Sequence, residues 1–228
     1  MLGRSWSSVT NLRIGMTYSV KEVFYTLQGE GSNAGRAAVF CRFSGCNLWS
    51  GREEDRLTSV CKFCDTDFIG TDGIGGGKFG TADALADHVS NTWGGKKAKK
   101  SAPLVVCTGG EPALQLDSVL VEAFHQRGFE VAIETNGTLK LADNIDWVCV
   151  SPKSTAKLII NSGDELKLVY PQHDALPEKF INLDFHNFFI QPMDGMEIEQ
   201  NTQKCVAFCK ANPQWRVSLQ THKLLGIA

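Results

Sequence analysis

Apolar, β-branched runs recur at 37–43, 104–107, 130–134, 147–150, 165–169, 188–191 and 215–220, and most are continuous rather than alternating. Continuous runs of this kind suit strands covered on both faces. Between them, 81–93, 114–127 and 199–210 space their apolar residues three and four apart, as in Val119, Leu120, Ala123 and Phe124. This is the rhythm of a parallel sheet with helices packed outside it. Seven strands with few good helices predict an α/β fold, a partial or distorted TIM-like (βα) barrel with the active site at the carboxyl ends of its strands.

The polar positions at the strand ends sharpen this picture. One run after another ends in a compact polar group: CTGGEP (107–112), ETNG (134–137), SPK (151–153), QPMD (191–194) and QTHK (220–223). Any one of them reads equally well as a turn rich in Gly, Pro, Asn and Asp. Together, at the ends that converge in a barrel, they predict a shared pocket. Two other stretches read as surface connections: GTDGIGGGKFG (70–80) is too glycine-rich for regular structure, and GGKKAKKSAP (94–103) adds four lysines, read as a solvated loop.

Composition narrows the class. A chain of 228 residues with net charge −2, 43% hydrophobic and 21% charged residues suits an enzyme without general affinity for nucleic acid or anionic membrane. Residues 16–228 are expected to form a single domain and 1–15, which have no periodicity, a flexible extension. No apolar run approaches the ~20 residues of a membrane span, and the start lacks the apolar stretch of a signal peptide. The expected location is the cytoplasm, where eight cysteines are thiols, metal ligands or catalysts rather than disulfides.

Three of those cysteines lie in GCNLWSGREEDRLTSVCKFCDTDF (45–68), as Cys46, Cys61 and Cys64. A C-x-x-C alone is shared by zinc sites and redox disulfides. Structural zinc takes four protein ligands, and the nearest further thiol, Cys41, alternates with Val39 and Phe43 onto a core face. Three thiolates suit a [4Fe-4S] cluster that keeps one iron open. Cys107 and Cys149 read as strand core. Cys205 and Cys209, with Val206 and Phe208, read as a buried helix stripe. A zinc or thiol-redox module stays open as an alternative.

The motifs FYTLQGEG (24–31), VFCRFSGCNLW (39–49), CKFCDTDF (61–68), CTGGEP, ETNG, VSPK, QPMDG and QTHK resemble the radical S-adenosylmethionine (SAM) superfamily. Within it, the chain is similar to the 7-carboxy-7-deazaguanine synthases. The superfamily spacing is C-x3-C-x2-C, whereas this loop is C-x14-C-x2-C; some members of the synthase family carry such an enlarged loop. Another radical SAM enzyme, such as a glycyl-radical activase, is the second alternative.

The resemblance implies a reaction and a set of cofactors. A [4Fe-4S] cluster on Cys46, Cys61 and Cys64 cleaves SAM, and the resulting 5′-deoxyadenosyl radical starts the ring contraction of 6-carboxy-5,6,7,8-tetrahydropterin to 7-carboxy-7-deazaguanine, with loss of ammonia. It implies Mg²⁺ at Thr66, an electron donor such as flavodoxin or ferredoxin, and a homodimer. Phe63, Cys64 and Asp65, Gly110, Ser151, Pro152 and Lys153, and Gln191, Pro192, Met193 and Asp194 would surround SAM. On chemistry, Glu111 is a candidate acceptor for its ammonium and Glu134 a further contact.

The substrate needs a cation for its carboxylate and acceptors for its pterin edge. Arg42, on the face opposite Cys41, is the candidate cation. Leu27, Gln28, Gly29 and Glu30 resemble the family's substrate segment, Thr108 and His222 complete the wall, and Ala228 is counted with them. Arg42, Glu30 and His222 are the candidate catalytic residues, with His222 expected to end the last strand.

Overall fold

The structure, a computed structural model, describes residues 17–96 and 101–227. The extension expected at 1–15, three of the four lysines of the basic loop, and Ala228 lie outside them.

One nine-stranded sheet organises the chain, in the order β3-β1-β2-β4-β5-β6-β7-β8-β9. Its strands are β1 (Tyr18–Leu27), β2 (Ala37–Phe43), β3 (Gly77–Phe79), β4 (Leu104–Gly109), β5 (Glu130–Thr135), β6 (Trp147–Val150), β7 (Ser162–Tyr170), β8 (Asp184–Pro192) and β9 (Trp215–Val217). β2 and β4 to β9 run parallel, each to its neighbour, and they are the seven strands the apolar runs predict. β1 and β3 add an antiparallel edge. Neither is visible in the pattern: Lys21 and Glu22 interrupt the apolar run of β1, and β3 is three residues inside the glycine-rich stretch read as irregular.

The predicted helices form as α1 (Ala82–Thr92), α2 (Ser118–Gln126) and α3 (Ile198–Ala211). Thr81 and Asp117 cap the first two, their side chains accepting from the N–H of Ala84 and Leu120 at 3.1 and 2.9 Å. In α3 the buried stripe is Asn201 and Cys205, with Phe208 and Cys209 packed beside it. Val206 is turned outward and 37% exposed, contrary to expectation, because it sits about 100° around the helix from Cys205.

Strand alternation separates two chemistries. On the helix-covered face, Val39, Cys41 and Phe43 of β2 meet Val105, Cys107, Val131 and Ile133 in the main core. On the other face the lower layer is apolar, built from Ala38, Leu104, Val106 and Ala132 with Phe40 and Trp147. Above it β2, β4 and β5, with β7 and β8, present Arg42, Thr108, Glu134, Lys167 and Gln191 to a cleft. Cys149 is buried as expected, but in register with Glu134 and Glu165.

Hydrogen bonds across the sheet show that it curls on itself. The carbonyl of Gly29, just past β1, accepts from Thr221 N and Oγ1 at 3.0 and 2.8 Å, and Gly31 N donates to Ser218 Oγ at 3.0 Å. The β1 end is thereby tied to the segment beyond β9.

The paired glycines of TGGEP have a packing reason. Gly109 has φ +133°, and a Cβ there would stand 2.2 Å from the carbonyl oxygen of Phe43; one on Gly110 would stand 2.1 Å from that of Gly45. They let β4 abut the start of the cysteine loop. Gly109→Ala should cost about 2 kcal/mol or more in urea denaturation, because the backbone it meets cannot yield. Gly128→Ala, at φ +80° with nothing within 4 Å of the added carbon, should cost about 1 kcal/mol. Equal losses would remove the packing explanation.

Candidate active site

A cleft of about 390 Å³ opens at the carboxyl ends of the parallel strands. The five polar strand-end groups converge on it: Thr108 to Gly110, Glu134 to Asn136, Ser151 and Lys153, Gln191 to Asp194, and Gln220 with His222 and Lys223. Leu27 to Glu30, Arg42, Cys46, Cys61 and Phe63 to Thr66 complete the walls. Every described site residue expected from the sequence lines this cleft except Glu111 and Pro152.

Glu111 is fully buried and its carboxylate is already occupied. It accepts from Ala113 N (3.0 Å), Thr135 Oγ1 (2.7 Å) and Asn136 N (2.7 Å), and burial raises its pKa despite these bonds. It braces the turn after β4 against the end of β5 instead of meeting a ligand's ammonium. Pro152 is buried beneath the cleft, its carbonyl accepting from Gln172 Nε2 at 3.3 Å.

His222 reaches the cleft differently from expectation. β9 stops at Val217, and His222 lies in a short helix, α4 (Thr221–Leu225). The bonds from Thr221 to Gly29 turn the chain there. The imidazole lies so close to residue 29 that a Cβ would stand 2.1 Å from Nδ1, so a side chain there would displace the ring.

The floor holds a charged network that the sequence reading missed. Lys167 on β7 is 3% exposed; its ammonium pairs with Glu30 and stands 3.4 Å from Glu134 Oε2. Gln28 ties the Glu134 carboxylate to the Glu30 backbone, donating from Nε2 to Glu134 Oε1 at 2.8 Å while its Oε1 accepts from Glu30 N at 3.1 Å. Gln220 Nε2 donates to the other oxygen of Glu30 at 3.0 Å. Burial acts to raise the Glu30 pKa, but the charge and hydrogen bond of Lys167, helped by Gln220 and His222, outweigh it and hold the carboxyl at about 2.

On the opposite wall, Arg42 donates from Nε to Glu22 Oε1 at 2.7 Å. No acceptor among the described residues takes its Nη groups, so the outer edge of the guanidinium is available to the cleft. Register places Thr108 beside it.

The enlarged cysteine loop is itself folded. Its insertion forms a 3-10 turn, Glu53–Thr58. Arg56 stacks over the Trp49 ring at 4.0 Å and donates to the carbonyls of Lys62 and Cys64 at 3.1 Å each. Trp49 packs edge-on against Phe68, with Cys61 buried beside them. The nearness of Cys61 and Cys64 couples the two thiols, pulling that of Cys64 down to about 6 and pushing that of Cys61 up.

All three cysteines are free and line one end of the cleft. Among the described residues, no three His, Cys, Asp or Glu side chains are arranged around a single metal ion. Cys41, the one thiol near enough to consider as a fourth ligand, is sealed in the main core. Three uncommitted thiols fit a cluster in which each takes a separate iron, and offer too few ligands for structural zinc.

Parallel strands bent into a TIM-like barrel, with thiols and charged side chains gathered at their carboxyl ends, define an enzyme of the barrel class. A scan of protein-family models finds no match. Among curated proteins, the 7-carboxy-7-deazaguanine synthase of Caulobacter vibrioides is 61% identical over 212 residues, covering 93% of this chain and 100% of its own. That of Nitratidesulfovibrio vulgaris is 55% identical over 215 residues, with the same coverage. The crystal structure of QueE from Escherichia coli superposes with TM-score 0.68 at 26% identity, over 93% of this chain and 99% of that one. The chain belongs to the 7-carboxy-7-deazaguanine synthase family.

The Glu30 pair has a pH signature. Its folded pKa of about 2 lies below the ordinary 4.5, so the pair's contribution is fully present above about pH 4.5 and lost as pH falls toward 2. Across that window the unfolding free energy should fall more steeply for the wild type than for Glu30→Gln, measured by urea denaturation at a series of pH values. Parallel curves would mean that the pair does not stabilise the fold.

Proposed function

We propose that this chain contracts the ring of 6-carboxy-5,6,7,8-tetrahydropterin to 7-carboxy-7-deazaguanine with loss of ammonia, as a radical SAM enzyme of 7-deazapurine (queuosine) biosynthesis. The observation that carries this reading is the convergence of three free thiols, the strand-end groups and the LQGEG segment on one cleft, in a chain of this family. The overall change is a rearrangement with elimination of ammonia, so it needs no net oxidant, consistent with SAM being regenerated.

Cys46, Cys61 and Cys64 would hold the [4Fe-4S] cluster. With SAM bound, that group would supply the one-electron chemistry that cleaves SAM and starts the reaction of the substrate. Phe63, Asp65, Gly110, Ser151, Lys153 and the 191–194 segment would enclose SAM. Lys223 bridges two of these walls, holding Asp65 at 2.8 Å and Asp194 at 2.6 Å. Glu111, spent on its turn, would leave the ammonium of SAM to other acceptors of the cleft. Thr66, on the cleft wall after the last thiol, would join substrate oxygens and waters around Mg²⁺.

Arg42 would receive the substrate carboxylate. Glu22 fixes the guanidinium from behind through Nε, leaving the Nη fork for a bidentate contact. Gln28, Glu30 and Glu134 face the ring's donor edge from the other side. A flavodoxin or ferredoxin as reductant, a cytoplasmic location and a homodimer complete the reading. No helix among the described residues is long and apolar enough to cross a membrane.

Anaerobically reconstituted protein with reductant, SAM, Mg²⁺ and the tetrahydropterin should yield 7-carboxy-7-deazaguanine by mass spectrometry. Cys46→Ala, Cys61→Ala and Cys64→Ala should each abolish cluster absorbance and product, while Cys205→Ala and Cys209→Ala should retain both. Zinc without iron in anaerobically purified protein, or absence of that product, would sink the proposal.

Removing one partner of a buried charge pair costs ~3 to 5 kcal/mol. Arg42→Ala should therefore lower kcat/KM for the tetrahydropterin by roughly two to four orders of magnitude at ~1.4 kcal/mol per decade. Arg42→Lys should recover only part, since an ammonium cannot form the fork. Loss of cluster absorbance in Arg42→Ala would instead assign Arg42 to support of the cysteine loop.

A further inference from the structure

Lys167 lies outside every motif that carries the family resemblance, yet it is the most enclosed charge on the cleft. Its side chain is 4% exposed, against 13% for Glu30 and 21% for Glu134. The groups facing it are Glu30 from the loop after β1, Glu134 from β5, Cys149 from β6 and Glu165 from its own strand, and His222 faces Glu30 from α4. Glu165 is committed to the LQGEG loop, accepting from Ser32 N at 2.8 Å. Glu30 and Glu134 alone are shared between Lys167 and the cleft.

We infer that Lys167 is the specificity-positioning residue of this site: its ammonium fixes Glu30 and Glu134 as a pair of acceptors, and so selects a ring whose buried edge carries N–H donors, as a 2-aminopyrimidinone does. This rests on the functional reading above and adds to it the residue that sets the acceptors for the 2-amino group.

The physical reason lies in the proton count. A desolvated carboxylate such as that of Glu30, with a second carboxylate across the same ammonium, takes up a proton unless a cation stands beside it. A protonated carboxyl gains a donor and can then hydrogen-bond a 2-oxo group. With Lys167 in place, the burial that would raise the Glu30 pKa is outweighed and the carboxyl stays low. The two carboxylates then act as acceptors only, and a 2-oxo group set against them meets lone pairs without a proton between them.

The test compares binding of two non-reactive probes, pterin-6-carboxylate (2-amino) and lumazine-6-carboxylate (2-oxo), by fluorescence titration with wild type, Lys167→Met and Lys167→Arg. Wild type should prefer the 2-amino ring by at least about tenfold in Kd, since a site built for a donor rejects the analogue lacking it. Lys167→Met should narrow the ratio to below about threefold at pH 7 and regain part of it at pH 9. Lys167→Arg should keep most of it.

A ratio unchanged in Lys167→Met, or lost equally in Lys167→Arg, overturns the inference while leaving the reaction intact. Failure of wild type to bind either probe overturns the functional reading and the inference together. Should Lys167→Met not fold, the wild-type ratio decides: it should hold between pH 9 and 5, and a collapse within that range overturns the assignment.

Discussion

The segment from Gln28 to Gly31 is the constraint on which the remaining architecture depends. It leaves β1 near one edge of the sheet and is held at the other, through the Gly29 carbonyl on Thr221 and the Gly31 amide on Ser218. With seven parallel strands the sheet does not complete an eight-stranded barrel; this segment spans the remaining gap. Its side chains reach inward to Glu134 and Lys167, so the closure that shapes the cleft also supplies its floor. Backbone and side chain of the same few residues thus serve fold and chemistry together.

A second closure acts at the mouth. The cysteine loop is long, and length alone would leave its thiols free to wander. Trp49, clasped between Arg56 and Phe68, gives the insertion a small core of its own. The Arg56 bonds to the Lys62 and Cys64 carbonyls fix the chain on both sides of Phe63. At its other end the loop leaves β2 where Gly109 and Gly110 admit it against β4. The enlarged spacing is therefore compatible with a defined thiol arrangement, because the inserted residues pack onto the ligand-bearing segment.

Periodicity carried the parallel strands because both of their faces are covered, so apolar residues run on without interruption. It failed at β1 and β3, where one side is open and polar residues intrude. The strand-end groups revealed the cleft because Gly, Pro and Asn mark turns and the turns of parallel strands share one end. Glu111 misled for the same reason: a carboxylate in a strand-end motif reads as a ligand, and only the packed structure shows its oxygens turned inward to Thr135 and Asn136. His222 was placed in the right cleft but the wrong element, since the bonds from Thr221 to Gly29 that end the extended chain are long-range. Lys167 could not have been singled out. Between Leu166 and Leu168 it alternates like an exposed residue of a half-buried strand, and its burial depends on partners more than thirty residues away.

The two sides of the cleft present different groups, the Nη donors of Arg42 on one and carboxylate acceptors on the other, and this favours one direction for a ligand with a carboxylate at one end and donors at the other. Arg42 on β2 offers cation without further acceptors, since Glu22 occupies only its Nε. Across the cleft, Glu30 and Glu134 with one Lys167 leave an excess of a single negative charge. Reversing the ligand would set its carboxylate against that excess and its donors against a guanidinium, losing two favourable contacts and creating two repulsive ones. Arg42, Glu134 and Lys167 sit on strands of one sheet and Glu30, in the loop after β1, is held to Lys167, so strand order sets most of the separation between cation and acceptors. Orientation is thus a property of the barrel, and the cysteine loop, fixed by its own small core, meets a ligand that the strands align.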